Sequence, residues 1–179
     1  FKEALNIIRE TNPLPSICGR VCHHPCEEKC IRLLVDKPIA IEWLKRCATD
    51  YGDSSEKPEP VKRTKEEEVA IVGSGPAGLT AAHDLVKQEY GVTIYEALPV
   101  PGGMLALGIP SFVLSQEIVQ RDIEYIKALG VKIRTNTRVG ALDDLAKLGF
   151  KAILLATGAH QSARLNIPGT DLKNVYYAL

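Results

Sequence analysis

Hydrophobic residues show two kinds of spacing along the second half of the chain, and together they predict alternating strands and helices. Short apolar runs predict buried parallel strands at 69–72, 92–95 and 152–156, and one alternating stretch predicts a half-buried strand at 131–135. Hydrophobic residues three or four positions apart predict intervening helices over 79–86, 118–129 and 143–148. This order of elements predicts an α/β fold with a doubly wound, Rossmann-like sheet.

The first 51 residues have a different pattern, which predicts short helices and no strand. Hydrophobic residues at positions 1, 4, 5 and 8 share one face of a helix that Pro13 ends, and a second helix is predicted near 39–47. Residues 52–68 are polar, contain prolines and carry charges of both signs, which is typical of a linker. We therefore divide the chain into a small all-α domain at 1–51, a linker at 52–68 and the Rossmann-like unit at 69–179.

The stretch VAIVGSGPAGLTAA joins the first predicted strand to the first helix of the Rossmann-like unit. Gly73 allows a tight turn, Gly75 allows a pyrophosphate to approach the backbone, and Gly78 allows the helix to pack closely on the strand. Glu96 stands at the end of the second strand, 18 residues after Gly78, where an acidic residue binds a ribose hydroxyl. No Gly-Lys-Ser/Thr follows the glycines, which excludes a nucleotide-hydrolysing P-loop.

Two further glycine-containing segments follow strands of this unit. The loop PVPGGMLALGIPSF at 99–112 is rich in glycine and proline, so we predict neither helix nor central strand there. Ala156, Thr157 and Gly158 end the last predicted strand. Because both segments lie at the carboxyl edge of the sheet, they favour one long ligand, FAD, over NAD.

Four cysteines, Cys18, Cys22, Cys26 and Cys30, follow one another at every fourth position. Convergent thiolates at this spacing indicate a metal centre. Neither a CxxC pair nor the longer loop of a zinc ribbon is present, which favours iron–sulfur over zinc. A zinc site in a non-catalytic assembly module and plain buried cysteines remain as alternatives. His23 and His24 are interpreted as loop residues, and Cys47 as a small buried hydrophobic residue.

Charge and hydropathy narrow the classes of partner. The chain carries 22 basic and 22 acidic residues, so neither nucleic acid nor an anionic membrane is an expected partner. The longest apolar run, 152–159, is far shorter than the ~20 residues of a membrane helix. The cysteine distribution favours a reducing cytoplasm. No side chain has the context of a general acid or base, and the absence of an initiator Met suggests a fragment.

The motifs together resemble one family of enzymes over the whole chain. The segments NPLPSICGRVCHHPCEEKC, AIEWLKRCATD, IVGSGPAGLTAA, PGGMLALGIPSF and ILLATGAH are similar to the small subunit of glutamate synthase. They also resemble the amino-terminal half of dihydropyrimidine dehydrogenase and related NAD(P)H-dependent flavin iron–sulfur oxidoreductases. The resemblance implies a helical domain with two [4Fe-4S] clusters, followed by an FAD domain into which an NAD(P)H domain is inserted.

The resemblance also assigns roles to residues. It implies that the FAD pyrophosphate lies at Gly73, Gly75, Pro76, Ala77 and Gly78 and the adenosine ribose at Glu96. It further implies that the flavin and ribityl chain lie at Gly102, Gly103, Met104 and Leu105, the adenine at Val139, and the other side of the pyrophosphate at Ala156, Thr157 and Gly158. Cluster ligands are implied at Cys22, Cys26 and Cys30, with Cys18 as a further candidate.

The chain departs from the family pattern at several positions. In the family, an upstream cysteine-rich segment completes both clusters, and we expect this sequence to start after that segment. Lys45 and Arg46 stand where some relatives have a Gln or Glu ligand, and Val113 and Ser115 replace an arginine and a proline. We therefore expect a fragment that is inactive alone.

The function that the resemblance implies for the intact protein is electron transfer from NAD(P)H through FAD to iron–sulfur clusters and then to a partner subunit or downstream domain. A glutamate synthase small subunit is the first expectation. A dihydropyrimidine dehydrogenase-like subunit or another electron-transfer flavoprotein is the alternative. The sequence leaves the final acceptor and the choice between NADH and NADPH open.

Overall fold

The computed structural model describes residues 1–52, 57–160, 162–163 and 166–176. The amino-terminal lobe is helical, as the hydrophobic spacing predicts. Its elements are α1 (Lys2–Thr11), α2 (Pro15–Val21), α3 (Pro25–Glu28), a 3₁₀ turn (Ile31–Leu34) and α4 (Ile41–Tyr51). Pro15 and Pro25 begin α2 and α3, because a proline at the first helical position has no amide that the helix must satisfy.

The second lobe alternates strands and helices around one parallel sheet. Its elements are β1 (Glu68–Val72), α5 (Pro76–Lys87), β2 (Gly91–Tyr95), α6 (Met104–Leu107), α7 (Gln116–Ala128), β3 (Lys132–Arg134), α8 (Leu142–Lys147) and β4 (Ala152–Leu155). The strand order is β3-β2-β1-β4, and all three pairings are parallel. The predicted α/β fold class with a helical region in front is confirmed.

Two expectations about this lobe were wrong. The loop at 99–112 contains the short helix α6, because Met104–Leu107 lies between the glycine pair and Pro110 and consists of good helix formers. The last strand was expected to be buried, yet three of the four β4 residues are exposed. Among the described residues, β4 is bonded only to β1, so it lies at an edge of the sheet.

The two lobes share one hydrophobic core. Leu14 and Ile17, at the start of α2, are buried in the same cluster as Ile118 and Ile126 of α7 and Leu79 of α5. Helix α7 therefore packs against the sheet lobe on one side and against α2 on the other. No helix in the described part of the chain is long and apolar enough to cross a membrane.

Candidate functional site

The main candidate site is a cleft of about 620 Å³ along the carboxyl ends of all four strands. In a parallel sheet this edge is where ligands bind, at the point where the strand order reverses. Eleven of the predicted cofactor residues line the cleft: Gly73, Gly75, Pro76, Ala77, Glu96, Gly103, Met104, Val139, Ala156, Thr157 and Gly158. Three others, Gly78, Gly102 and Leu105, are not among the lining residues.

The turn between β1 and α5 depends on glycine for two different reasons. Gly73 has a φ of +108°, and a Cβ there would lie 2.3 Å from the carbonyl oxygen of Ala156. A Cβ on Gly78 would lie 2.0 Å from the carbonyl oxygen of Gly73, so this residue allows α5 to pack on the turn. Gly75 differs from both, because a Cβ there would meet no atom within 4 Å. Gly75 therefore leaves open space in front of the amino terminus of α5.

Glu96 holds the segments that form the cleft. Its Oε2 accepts hydrogen bonds from the Ser74 amide at 3.0 Å and the Ser74 hydroxyl at 2.5 Å, and its Oε1 accepts one from the Leu98 amide at 2.9 Å. Burial raises the pKa of this carboxyl, but the bonds from the Ser74 hydroxyl and the backbone amides outweigh burial, so the net pKa is lowered. The predicted ribose-binding acid is thus ionised and already oriented.

The glycine pair before α6 connects the loop to the β1–α5 turn. The Gly102 amide donates to the carbonyl oxygen of Ser74 at 3.2 Å and to its hydroxyl at 3.1 Å. A Cβ on Gly103 would lie 2.9 Å from the Cα of Gly75, so the two backbones touch. Met104 then lines the cleft, whereas Leu105 points into the hydrophobic core and is 8% exposed.

Sequence reasoning missed several residues of the cleft. These include Ser74, Leu98, Thr137, Arg138 and His160. Ser74 was recognisable as the small polar residue between two of the glycines. The other four carry no local signal, because they reach the cleft only when the ends of neighbouring strands are brought together. His160 lies on an exposed loop with its Nε2 3.0 Å from the Thr157 carbonyl oxygen.

The cysteines form a second candidate site in the helical lobe. All five are free thiols; Cys26 is exposed, and the others are half-buried, including Cys47. Burial raises the pKa of the Cys18 thiol, although Lys45 opposes the shift. Within the described residues no three His, Cys, Asp or Glu side chains come together to hold a metal ion. The donor chemistry suits an iron–sulfur centre, but the placement of these side chains does not close one.

His24 makes polar contacts through one of its two ring nitrogens. Its Nδ1 lies 2.7 Å from Glu42 Oε2 and 3.2 Å from the Cys22 carbonyl oxygen. The pKa of this imidazole is raised, first by the hydrogen bond to Cys22 and then, against partial desolvation, by Glu27 and Glu42. The residue directly precedes α3 and has a left-handed conformation with φ 43°. The loop interpretation of His24 therefore agrees with its contacts.

The cleft, by contrast, fits an FAD-sized ligand. Open space faces Gly75 at the amino terminus of a 12-residue helix, where backbone amides and the helix dipole favour a pyrophosphate. An ionised, buried carboxylate lies at the end of the neighbouring strand. These two features stand side by side in one continuous cleft, which is the arrangement that a dinucleotide requires.

Two family models match the chain. Residues 1–57 match the model described as dihydropyrimidine dehydrogenase domain II, 4Fe-4S cluster. Residues 67–178 match the model described as pyridine nucleotide-disulphide oxidoreductase. The two matches meet in the region predicted to be a linker, and they confirm the resemblance drawn from the sequence motifs and the oxidoreductase class.

Several curated proteins are similar to the chain over nearly its full length. It is 45% identical, over 96% of its length, to the NADP(+)-dependent formate dehydrogenase subunit beta of Moorella thermoacetica. Over the same share it is 47% identical to the NADPH-Fe(3+) oxidoreductase subunit beta of Geobacter sulfurreducens. It is 38% identical, over 100%, to the glutamate synthase [NADPH] small chain of Bacillus subtilis.

The chain spans only part of each of these proteins, covering 28%, 26% and 37% of their respective lengths. Among solved structures, a 2-naphthoyl-CoA reductase matches 72% of the chain with 27% sequence identity and a TM-score of 0.50, and the chain covers 19% of it. The similarity therefore concerns one region of larger proteins.

Proposed function

Because the chain belongs to the pyridine nucleotide-disulphide oxidoreductase family, we propose that it binds FAD for an NAD(P)H-dependent oxidoreductase. The observation that carries this proposal is the convergence of β1, β2, β3 and β4 on one cleft, with Gly75 open to it and Glu96 beside it. FAD supplies the redox chemistry, since it accepts a hydride and releases electrons singly. The role of the chain itself is to bind FAD and orient it.

Different residues along this edge of the sheet bind different parts of the ligand. The amides at the start of α5 would bind the pyrophosphate, and Glu96, whose Oε1 accepts a hydrogen bond from the Leu98 amide, would accept another from a ribose hydroxyl. Gly103 and Met104 approach the ligand from the loop side. Gly102 and Gly78 act indirectly, because they let the loop and the helix come close to the turn.

For the helical lobe we propose Cys18, Cys22, Cys26 and Cys30 as the candidate cluster ligands. The match to a domain described by its 4Fe-4S cluster supports iron over zinc. The described side chains do not converge, so a cluster needs either further ligands or a rearrangement of the segment at 22–30.

The partner protein and the final electron acceptor are proposed from the names of the relatives. Relatives carry the names of a formate dehydrogenase subunit, an iron reductase subunit, a glutamate synthase small chain and a dihydropyrimidine dehydrogenase subunit. We propose an electron-transfer subunit that works in the cytoplasm with a partner subunit or domain. Glutamate synthesis and pyrimidine reduction are two of the acceptor reactions that this role allows.

A substitution at Gly75 tests the FAD proposal. Gly75→Val places a side chain in the cleft, and its Cβ meets no protein atom within 4 Å, so the fold should persist while FAD affinity falls on the order of 100-fold. Isothermal titration calorimetry with FAD measures the affinity, and circular dichroism checks the fold. Gly140→Val is the matched control, because a Cβ there also meets nothing and Gly140 does not line the cleft. Equal FAD affinity in the wild type and Gly75→Val would contradict the proposal.

Metal analysis tests the cysteine proposal. Protein reconstituted and kept without oxygen should contain iron and acid-labile sulfide and show visible absorption that dithionite bleaches. Cys26→Ser should reduce both contents, whereas Cys47→Ser, which replaces a thiol outside the four-residue spacing, should leave them unchanged. A colourless protein with bound zinc would instead support the assembly module.

A further inference from the structure

Arg138 is an exposed residue that lines the cleft, and its guanidinium lacks a partner in the described part of the chain. Every other arginine within the described residues makes at least one hydrogen bond, ion pair or ring contact. A cation left unpaired beside an open cleft is available to a ligand. The proposed function leaves this side chain without a role.

The backbone around Arg138 is held in place by the neighbouring strand end. The Asn136 amide donates to the Leu98 carbonyl oxygen at 3.0 Å, and the Thr137 amide donates to the Glu96 carbonyl oxygen at 2.8 Å. Asn136 itself has a φ of +53°, which turns the chain at the end of β3. Arg138 therefore projects from a fixed segment that lies directly beside Glu96 and not from a free loop.

The strand order indicates which part of a dinucleotide this segment meets. The proposed FAD site has the pyrophosphate at the end of β1 and the ribose at Glu96 after β2, and β3 is the next strand outward. Neighbouring strands are about 4.8 Å apart, so Arg138 starts roughly 10 Å from the β1–α5 turn. At that distance along the sheet, the group beyond the ribose is the base.

The contacts at this end of the cleft also favour a base over a phosphate. The amides of Leu98, Asn136 and Thr137 already donate to protein oxygens, so none of the three is free for an anion. Ala97, Leu98 and Val139 add apolar surface to the lining. A flat, uncharged ring suits such a setting, and the guanidinium is a planar cation that stacks on rings.

We propose that Arg138 stacks its guanidinium group on the adenine of the bound dinucleotide and so contributes to recognition of the ADP half of the ligand. This inference rests on the proposed FAD site and adds to it a residue that acts on one end of the ligand only. A stack of this kind is worth about 1.4 kcal/mol, or tenfold in affinity, at a partly desolvated site.

Calorimetric titration with FAD, ADP and FMN tests the proposal. Arg138→Ala should weaken FAD and ADP binding by the same factor of about ten and leave FMN binding unchanged, because FMN lacks the adenosine. Arg138→Lys keeps the charge but loses the planar group, so it should be as weak as Arg138→Ala. Lys132→Ala, which removes an exposed cation of β3 outside the cleft, should bind all three ligands like the wild type.

Each other outcome is decisive. Wild-type affinity for ADP in Arg138→Ala overturns the stacking contact. Wild-type affinity in Arg138→Lys shows a contact made by charge and overturns it too. Loss of FMN binding in Arg138→Ala indicates a general disturbance of the cleft and also overturns the proposal. If the wild type binds neither FAD nor ADP, the proposed FAD site itself fails.

Discussion

Two buried carboxyl groups show how neighbouring atoms alone decide the charge of a residue. Glu96 receives three hydrogen bonds from Ser74 and Leu98, and its pKa is lowered although burial opposes this. Asp122 in α7 accepts one bond, from the Ile17 amide at 3.0 Å, and its Oδ1 has no partner within the described structure. Burial therefore dominates at Asp122 and raises its pKa to about 6, although Ile17, Ser16 and Arg9 favour the charged form.

The raised pKa of Asp122 predicts a pH dependence of stability. The folded protein holds this proton more tightly than the unfolded chain, in which the carboxyl group has its ordinary pKa of 3.8. The free energy of unfolding should thus fall by about 2 kcal/mol as the pH rises from ~4 to ~6, and change little above pH ~7 from this residue. Asp122→Asn keeps an acceptor for the Ile17 amide and does not ionise, so it should lose this dependence.

Urea unfolding at a series of pH values from ~4 to 8 measures the effect. Glu124→Gln is the matched control, because it makes the same chemical change at an exposed position of the same helix and should keep the wild-type slope. An unchanged slope in Asp122→Asn would show that burial does not control this carboxyl group.

At the scale of elements, the glycines of the β1–α5 turn have two different roles: some allow close packing of the backbone, and one leaves space for a ligand. Gly73 and Gly78 serve the fold, because side chains there would meet backbone atoms of Ala156 and Gly73. Gly75 serves the cleft, because a Cβ there would point into space where no protein atom lies within 4 Å. Glycine is therefore required for different physical reasons at different positions of one short motif. Substitutions at Gly75 and Gly78 should have different effects on ligand binding and on stability.

Gly78→Ala should destabilise the protein, in contrast to Gly75→Val. Its new methyl group would lie 2.0 Å from the Gly73 carbonyl oxygen, so α5 must move away from the turn. Overpacking of this kind costs about 1–3 kcal/mol, and FAD affinity should fall as well because the helix amides move. Thermal unfolding measures the loss of stability, with Gly140→Ala as the control at an unhindered glycine. A melting temperature equal to that of the wild type would contradict the close packing.

At the scale of the whole molecule, the helical lobe and the sheet lobe share one hydrophobic core. Leu14 and Ile17 lie in the core that α5 and α7 build, and Asp122 bonds to the start of α2. Helix α7 also contacts the glycine loop, since Val119 and Ile123 stand beside Gly102. Helix α7 thus packs against both the cysteine-bearing helix α2 and the loop beside the cleft. This packing fixes the relative position of the two candidate sites.

Ile17→Ala should therefore destabilise both lobes together. Truncating this fully buried side chain removes about 2–5 kcal/mol of stability. Fluorescence of Trp43, the only tryptophan, follows the helical lobe, and far-ultraviolet circular dichroism follows the whole chain; the two curves should shift together. Ile7→Ala, at an exposed position of α1, should change stability by less than about 0.5 kcal/mol. Separate transitions would show that the lobes fold independently.

The sequence by itself determined the strands, most of the helices and the glycine turn. Periodic burial and backbone freedom act over a few residues, so β1, β2, α5 and α7 are visible in the spacing of hydrophobic positions. The same holds for Gly73, Gly75 and Gly78, whose spacing reports a local turn. The helix α6 was not predicted because its four residues are too few to show helical periodicity.

Only the tertiary structure decided which side chains meet. The bonds from Ser74 to Glu96 join residues 22 apart, and the bond from Ile17 to Asp122 joins residues 105 apart. The same packing placed Arg138 on the cleft and left the four regularly spaced cysteines without a closed metal site among the described residues. Such contacts depend on how strand ends and helix faces align in space, and the local spacing of hydrophobic residues does not predict that alignment.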